Sequence, residues 1–441
     1  MLNLKMEAQK IFLESLKEID VRVAVSRNLS IESLRLSAAG RTFDLQNFRK
    51  IILIAVGKAA SPMYEATIDI LRLAGSLTQN VEAIVISPDP PARTHGAIKF
   101  FLGAHPTPCE VSRQAAIATL DLLHTAGPDT LVLFLVSGGS SSMMELPLDQ
   151  VISLEDVADF NRVLVGSGLP IKEMNLLRKH LSAVKGGRLA AAAASSAQCT
   201  LILSDVPGDS LDTVGSGPSL PDSSFRKDRM EVYRRLWPMH RLPLRIERFF
   251  EEDSSAETPK FTDPAFKRAV WTSILSSGDL ASSAARLAAA AGFHVEIDST
   301  CDDWPSYMAA NYLLDQSRRL RKLSPRSCLI SVGEVAVTLK GTTGQGGRNQ
   351  HFALECALRL AERDDDSVVL SAGSDGIDGH SPAAGAVVDR HTCHRATLQG
   401  MNPAQLLAEF NSFALFQALG DAIITGSTGN NLRDLRLFLT Q

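Results

Sequence analysis

The sequence predicts an α/β protein of two domains with mostly parallel sheets, and three observations carry that prediction. Continuous apolar runs such as Ile51–Val56 and Thr130–Val136 alternate with helix-forming stretches, the pattern of strands buried on both faces of a parallel sheet. Small-residue loops follow those runs: Gly57-Lys58-Ala59-Ala60 after the first, Ser137-Gly138-Gly139-Ser140-Ser141-Ser142 after the second. A chain of 441 residues is long enough for two or three domains of roughly 150 residues, each with its own core.

Taken in order, residues 7–26 read as an opening amphipathic helix with Ile11, Phe12, Leu16 and Ile19 on one side. Strands are predicted at Ile51–Val56, Val81–Ile86, Thr130–Val136 and Thr200–Ser204, the last leading into Asp205-Val206-Pro207-Gly208-Asp209. The charged, proline-bearing stretch Glu251–Pro259 reads as a surface connection. A second series follows at Ala269–Leu275, Phe293–Ile297, Ser327–Val332, Val335–Leu339, Ser367–Ala372 and Asp421–Thr425. This places a boundary near residue 265 and gives domains of 1–265 and 266–441.

Composition narrows the function. Lys plus Arg number 45 and Asp plus Glu 49, a net charge of −4, which argues against nucleic-acid or membrane-surface binding. The six cysteines form no CxxC pair, so reduced thiols in a cytoplasm are expected rather than disulfides or a zinc site. The N-terminus lacks a signal-peptide pattern, and no apolar run approaches the ~20 residues of a membrane span. The sequence holds no P-loop, no G-x-G-x-x-G after a strand, no nucleophile elbow and no H-E-x-x-H.

Five segments could carry chemistry, because ligands in open α/β sheets bind beyond the carboxyl ends of strands. The Ser137–Ser142 loop reads as an anion site built from backbone N–H groups and hydroxyls, or as a plain turn. The run Asn175–Arg188 reads as an anion-binding rim or as a solvated basic face. Asp205 and Asp209 stand four apart, suited to Mg²⁺ or to a hydroxyl proton, and equally to turns that satisfy loop backbone. Gly341–Gln350 places glycines and Arg348 at a helix start, where backbone donors and a planar cation suit a phosphoryl group. Asp375 and Asp378 stand among glycines after another strand, as candidates for Mg²⁺ or ribose hydroxyls.

Together these segments resemble the class II glycerate 2-kinase family over nearly the whole chain. The matching stretches are Gly57–Ala60, His105-Pro106-Thr107-Pro108, Ser137-Gly138-Gly139, Asn175–Ala190, Ser204–Asp209, Ser216-Gly217-Pro218, Gly346–Gln350, Asp375–Gly379 and Ala383–Asp389. The resemblance implies a glycerate-kinase-type domain followed by a domain of the kind called multi-organism fragment with rich leucine, with the active site in the cleft between them. It implies ATP- and Mg²⁺-dependent phosphorylation of D-glycerate at its 2-hydroxyl. The partners are then glycerate and ATP, without nucleic acid or membrane, and with a homo-oligomer left open. Under this reading Lys58 and Arg348 serve the transferred phosphoryl. Ser137, Gly138, Gly139, Ser140 and Ser141 cradle carboxylate or phosphate, with Lys185 and Arg188 lining the anionic site. Asp205 orients the hydroxyl and Asp209 holds metal, or the reverse, and Gly346, Gly347, Asp375 and Asp378 meet the nucleotide. Five positions depart from the family pattern: Cys109 for Asp, Ser140 for a third Gly, His351 for Glu, Gly215 for Ala, and Asn430 for Thr. The alternatives are a hydroxypyruvate reductase, which the missing dinucleotide fingerprint opposes, and a non-catalytic hydroxy-acid-binding protein.

Overall fold

The structure, a computed structural model, describes residues 4–78, 80–204, 210–252, 256–339, 341, 344–363 and 366–441. It divides into two compact units, Val21–Ile274 and the combination of Met1–Asp20 with Leu275–Gln441.

The Val21–Ile274 unit begins with a small antiparallel meander, β1 (Leu29–Glu32), β2 (Arg35–Ala38) and β3 (Arg41–Asp44). Its main sheet contains β4 (Lys50–Val56), β5 (Val81–Ser87), β6 (Ala97–Leu102), β7 (Thr130–Val136), β8 (Ala197–Leu203) and β9 (Ala269–Leu275), in the order β6-β5-β4-β7-β8-β9. The pairings β4–β5, β4–β7, β5–β6 and β7–β8 are parallel. All seven residues of β7 and of β8 are buried, which is why these strands are apolar without alternation. The register sets Val56 beside both Ile86 and Val136, and Val136 beside Ile202, so the strands end flush. The loops that follow β4, β5 and β7 therefore stand side by side. A second core, of helices Leu154–Gly166, Ile171–Leu181, Arg226–Leu236 and Leu244–Glu252, closes around Phe160, Leu177, Tyr233 and Phe250.

The other unit carries β10 (His294–Ile297), β11 (Ser327–Val332), β12 (Val368–Gly373), β13 (Gly385–Val388), β14 (Ala422–Ile423) and β15 (Asp434–Leu439), ordered β10-β11-β15-β12-β13-β14. Here only β10–β11 is parallel; β15 runs antiparallel to both β11 and β12, and β13 antiparallel to β12 and β14. The expectation of mostly parallel sheets thus holds for the first sheet and not for the second. For β12 and β13 the cause lies in the connection: Ser374–Ala384 carries no helix, and a parallel return needs a crossover of a dozen or more residues.

Further corrections concern assignment. Strand β9 closes the first sheet rather than opening the second, so the division falls at 274/275 and not 265/266. Val335–Leu339 is not a strand and keeps one bridge, from Ala336 to Pro305. The opening helix is two helices, Leu4–Glu18 and Val21–Asn28, which belong to different units. Leu4–Glu18 packs on helix Ser277–Ala290 and on β12, so the second unit is assembled from both ends of the sequence. Lys5 fastens it to Asp389 at 3.3 Å and to Asp421 at 2.9 Å, and Glu18 takes hydrogen bonds from Ser283 and Arg286. Among the described residues, no helix is long and apolar enough to cross a membrane.

Candidate active site

In the Val21–Ile274 unit, the loops after β4 and β7 interlock. The backbone N–H of Lys58 donates to the Gly138 carbonyl at 2.9 Å, and that of Ala59 to Ser137 Oγ at 3.1 Å. At Gly139 the Lys58 stem, His105 and Met143 all come within 3.2–3.3 Å of where a Cβ would stand. Lys58 and the serine loop therefore form one structure. The loop residues beyond it meet the segment Gly215–Pro218: Ser141 Oγ lies 3.1 Å from Ser216 Oγ. Gly215 has φ +55°, and a Cβ there would collide with Ser140 Oγ. Two departures from the family pattern, Ser140 and Gly215, are thus one steric exchange. The Ser140 hydroxyl is buried with no hydrogen-bond partner among the described residues, the kind of orphan that an anion oxygen satisfies.

The basic run behind this loop is neither a solvated face nor an open anionic rim. Lys179 pairs with Asp212 and Asp222, each at 2.9 Å, and Lys185 with Glu145. Arg188 donates to the carbonyl of Lys179 at 2.9 Å. Burial lowers the Lys185 pKa, against the pull of Glu145, and brings Arg188 to about 10. Asp222 is also buried, which raises a carboxyl, yet the Lys179 charge and hydrogen bonds carry it down to about 2. Between Lys185 and Arg188 lie Gly186 and Gly187, whose N–H groups donate to the carbonyls of Ser216 and Gly217. Both cations thus have protein partners in this structure, Lys185 in Glu145 and Arg188 in backbone carbonyls.

In the second unit, β10, β11 and β12 point the same way, and Asp434 starts β15 at their carboxyl ends. Helix Arg348–Arg363 buries Asn349, Phe352, Cys356 and Leu360 at helical spacing and brings its first turn to that edge. Asp378 caps it: one carboxylate oxygen accepts from Asn349 N–H at 3.0 Å, the other from Gln350 N–H at 2.9 Å and Gln350 Nε2 at 3.0 Å. Burial pushes the Asp378 carboxyl up to about 6, against these bonds. Gly347 touches Asp378 so closely that a Cβ would overlap it. Asp378 and Gly347 therefore build the helix start, while Asp375 accepts from the Ile377 N–H at 3.1 Å. Arg348 sends Nε and Nη2 to Asp434 at 2.6 and 3.0 Å, with Glu334 2.8 Å from Nη2. Burial works against the guanidinium charge, yet Asp434 and Glu334 carry the Arg348 pKa above the usual arginine value.

Lys58 and Ser137–Ser141 thus come together in one unit, and Gly346, Gly347, Arg348, Asp375 and Asp378 in the other. Asp205 and Asp209 lie outside the described residues. Reading the sequence missed Glu145, Glu334 and Asp434. The first two carry no motif signal, and Asp434 lies in a strand whose apolar run Arg436 interrupts. The described carboxylates include no group of three metal-ligating side chains in a geometry that could hold an ion. A cavity of about 560 Å³ along β6 and helix Glu110–His124, lined by Lys99, Ile117 and Asp121, involves none of these loops.

Two family models match the chain, a domain of unknown function (DUF4147) over residues 7–251 and the MOFRL family over 327–434. The D-glycerate 2-kinase of Thermotoga maritima is 34% identical over 96% of this chain and 98% of its own. A putative hydroxypyruvate reductase of Agrobacterium vitis is 33% identical over 88% of this chain and 87% of its own. The crystal structure of the Thermotoga maritima glycerate kinase superposes with a TM-score of 0.79 at 32% identity, covering 99% of each chain. Shared in sequence and fold from end to end, these features make the chain a member of the glycerate kinase family.

Proposed function

We propose that this chain transfers the γ-phosphoryl group of ATP to the 2-hydroxyl of D-glycerate, giving 2-phospho-D-glycerate and ADP. The observation that carries the reading is the likeness to a D-glycerate 2-kinase over 96% of the chain. The strand-end geometry supports it: phosphoryl transfer asks for positioning and charge neutralisation more than for covalent help. Lys58 and Arg348 serve the transferred phosphoryl. The Ser137–Ser141 loop, with the orphan Ser140 hydroxyl, receives carboxylate or phosphate oxygens. Asp205 takes the hydroxyl proton. Gly346 and Asp375 border the nucleotide. Asp209 is the protein ligand of a Mg²⁺ ion that is otherwise held by nucleotide phosphates. When bound, that ion neutralises phosphate charge.

The relative named hydroxypyruvate reductase gives the second reading its footing. A coupled ADP-release assay with D-glycerate, followed by phosphorus NMR of the product, tests the first. The expected product signal is 2-phosphoglycerate; dominance of 3-phosphoglycerate before any mutase is added overturns the regiochemistry. NAD(P)H consumption with hydroxypyruvate, in the absence of ADP release, favours the reductase.

A further inference from the structure

Asp434 is the first residue of β15, which lies between β11 and β12. Its backbone is fixed on both sides: the carbonyl accepts from Gly333 N–H at 3.2 Å, and the residue pairs with Gly373 across the β12 ladder. Its side chain is 1% exposed, whereas that of Arg348 is 38% exposed. Behind the carboxylate stands the fully buried Arg436, 3.7 Å away. Burial favours the protonated acid, but the charge and hydrogen bonds of Arg348, with the charge of Arg436, hold Asp434 below the ordinary carboxylate range. Among the described residues no hydrogen bond engages Arg348 Nη1.

A buried carboxylate is a costly way to stabilise a sheet, since apolar residues of similar volume often do as well or better. Its geometry suggests another use. An arginine side chain has several rotatable bonds and needs a fixed plane to present its fork to phosphoryl oxygens. Two hydrogen bonds donated by Nε and Nη2 to a carboxylate on a rigid central strand remove that freedom before any ligand arrives, and a guanidinium already in place costs no reorganisation during transfer.

We propose that Asp434 is the positioning residue for Arg348, fixing the plane of its guanidinium through Nε and Nη2. The inference rests on the assignment of Arg348 to the phosphoryl group. Loss of the grip then lowers kcat while KM for glycerate and for ATP changes little, because the interaction matters most in the transition state. The test is a double-mutant cycle with Asp434→Asn, which keeps the side-chain shape, and Arg348→Ala, each checked by thermal melts. Asp434→Asn is expected to cost about tenfold or more in kcat in the wild-type background and less than about twofold in the Arg348→Ala background. A merely structural role gives the same loss in both backgrounds and overturns the proposal. Should Asp434→Asn fail to fold, Asp434→Glu takes its place. It keeps the charge beside Arg436 but shifts the grip, and wild-type kcat in that variant overturns the proposal. An active wild type whose Arg348→Ala variant turns over normally removes both residues. A wild type that releases no ADP with glycerate overturns the functional reading itself.

Discussion

The two strand-end loops solve the same problem with opposite materials. The loop after β7 is neutral, made of glycines and hydroxyls, and it leaves Ser140 Oγ unsatisfied. The loops around Arg348 are charged, and their carboxylates are consumed internally: Asp378 caps the helix and Asp434 grips the arginine. On the function proposed above, the first receives polar atoms and the second presents one oriented cation. A dense run of cations in the sequence is thus no mark of a solvent-facing charged surface. The densest basic segment, Asn175–Arg188, is held by Glu145, Asp212, Asp222 and backbone carbonyls.

The hardest test of this contrast is removal of the cations. Lys58→Ala and Arg348→Ala are each expected to lower kcat by roughly 10²-fold or more, and Arg348→Lys to remain damaging because an ammonium cannot reproduce the fork. Steady-state kinetics on folded variants decide it; near-wild-type turnover removes that residue from the mechanism.

The neutral loop is probed through its steric exchange. Gly215→Ala is expected to destabilise the protein by about 1–3 kcal/mol, since the new methyl meets Ser140 Oγ at a positive φ. Adding Ser140→Gly should recover most of that loss in chemical denaturation. Additive losses in the double variant would show that the two positions do not interact.

The structural charges make a third case. Asp222 has a folded-state value of about 2, below the ~3.9 of an unfolded chain. Its contribution is therefore present above pH 4 and is lost as pH falls from about 4 to about 2. A shift of that size corresponds to about 2–3 kcal/mol. Asp222→Asn should flatten the acid limb of a stability-against-pH curve over that window and leave kcat near pH 7 within about twofold; an unchanged acid limb would refute the assignment.

The smallest effects belong to two departures from the family pattern, and the structure separates them. Cys109 stands at the N-cap of helix Glu110–His124, where Asp is a preferred residue, so Cys109→Asp should stabilise by under about 1 kcal/mol. His351 stacks on Phe410 at 5.0 Å and lies 3.8 Å from Glu355, and burial lowers its pKa to about 4. His351→Glu sets a second carboxyl beside Glu355 and should lower the melting temperature, with turnover changed less than tenfold in either variant. A melting temperature that stays put would mean that the stack is dispensable.

These contrasts mark how far the sequence could be read. Strands β4, β5, β7 and β8 are legible because burial on both faces leaves continuous apolar runs. The sheet that a strand joins is not: Ala269–Leu275 has the same local pattern whichever sheet it completes. Strand β15 is hidden because Arg436 interrupts its apolar run, and no periodicity reveals that this arginine is buried against Phe352. Lys58, Arg348 and the serine loop stand out by residue type beside glycines. The support of Arg348, Asp434, lies 86 residues away in sequence and becomes visible only when the strand ends meet.

The helix Leu4–Glu18 sets the order in which this protein can be finished. It leaves the ribosome before any of Val21–Ile274, yet its apolar face is covered only by segments synthesised after that whole unit. Until then Ile11, Phe12 and Leu16 lack the cover that those segments give them in the folded unit. Cutting the gene at the apparent domain boundary would strand this helix on the wrong product. A rearranged gene that begins at Leu275 and returns to Leu4–Glu18 through a linker would instead make the second unit as one continuous translation.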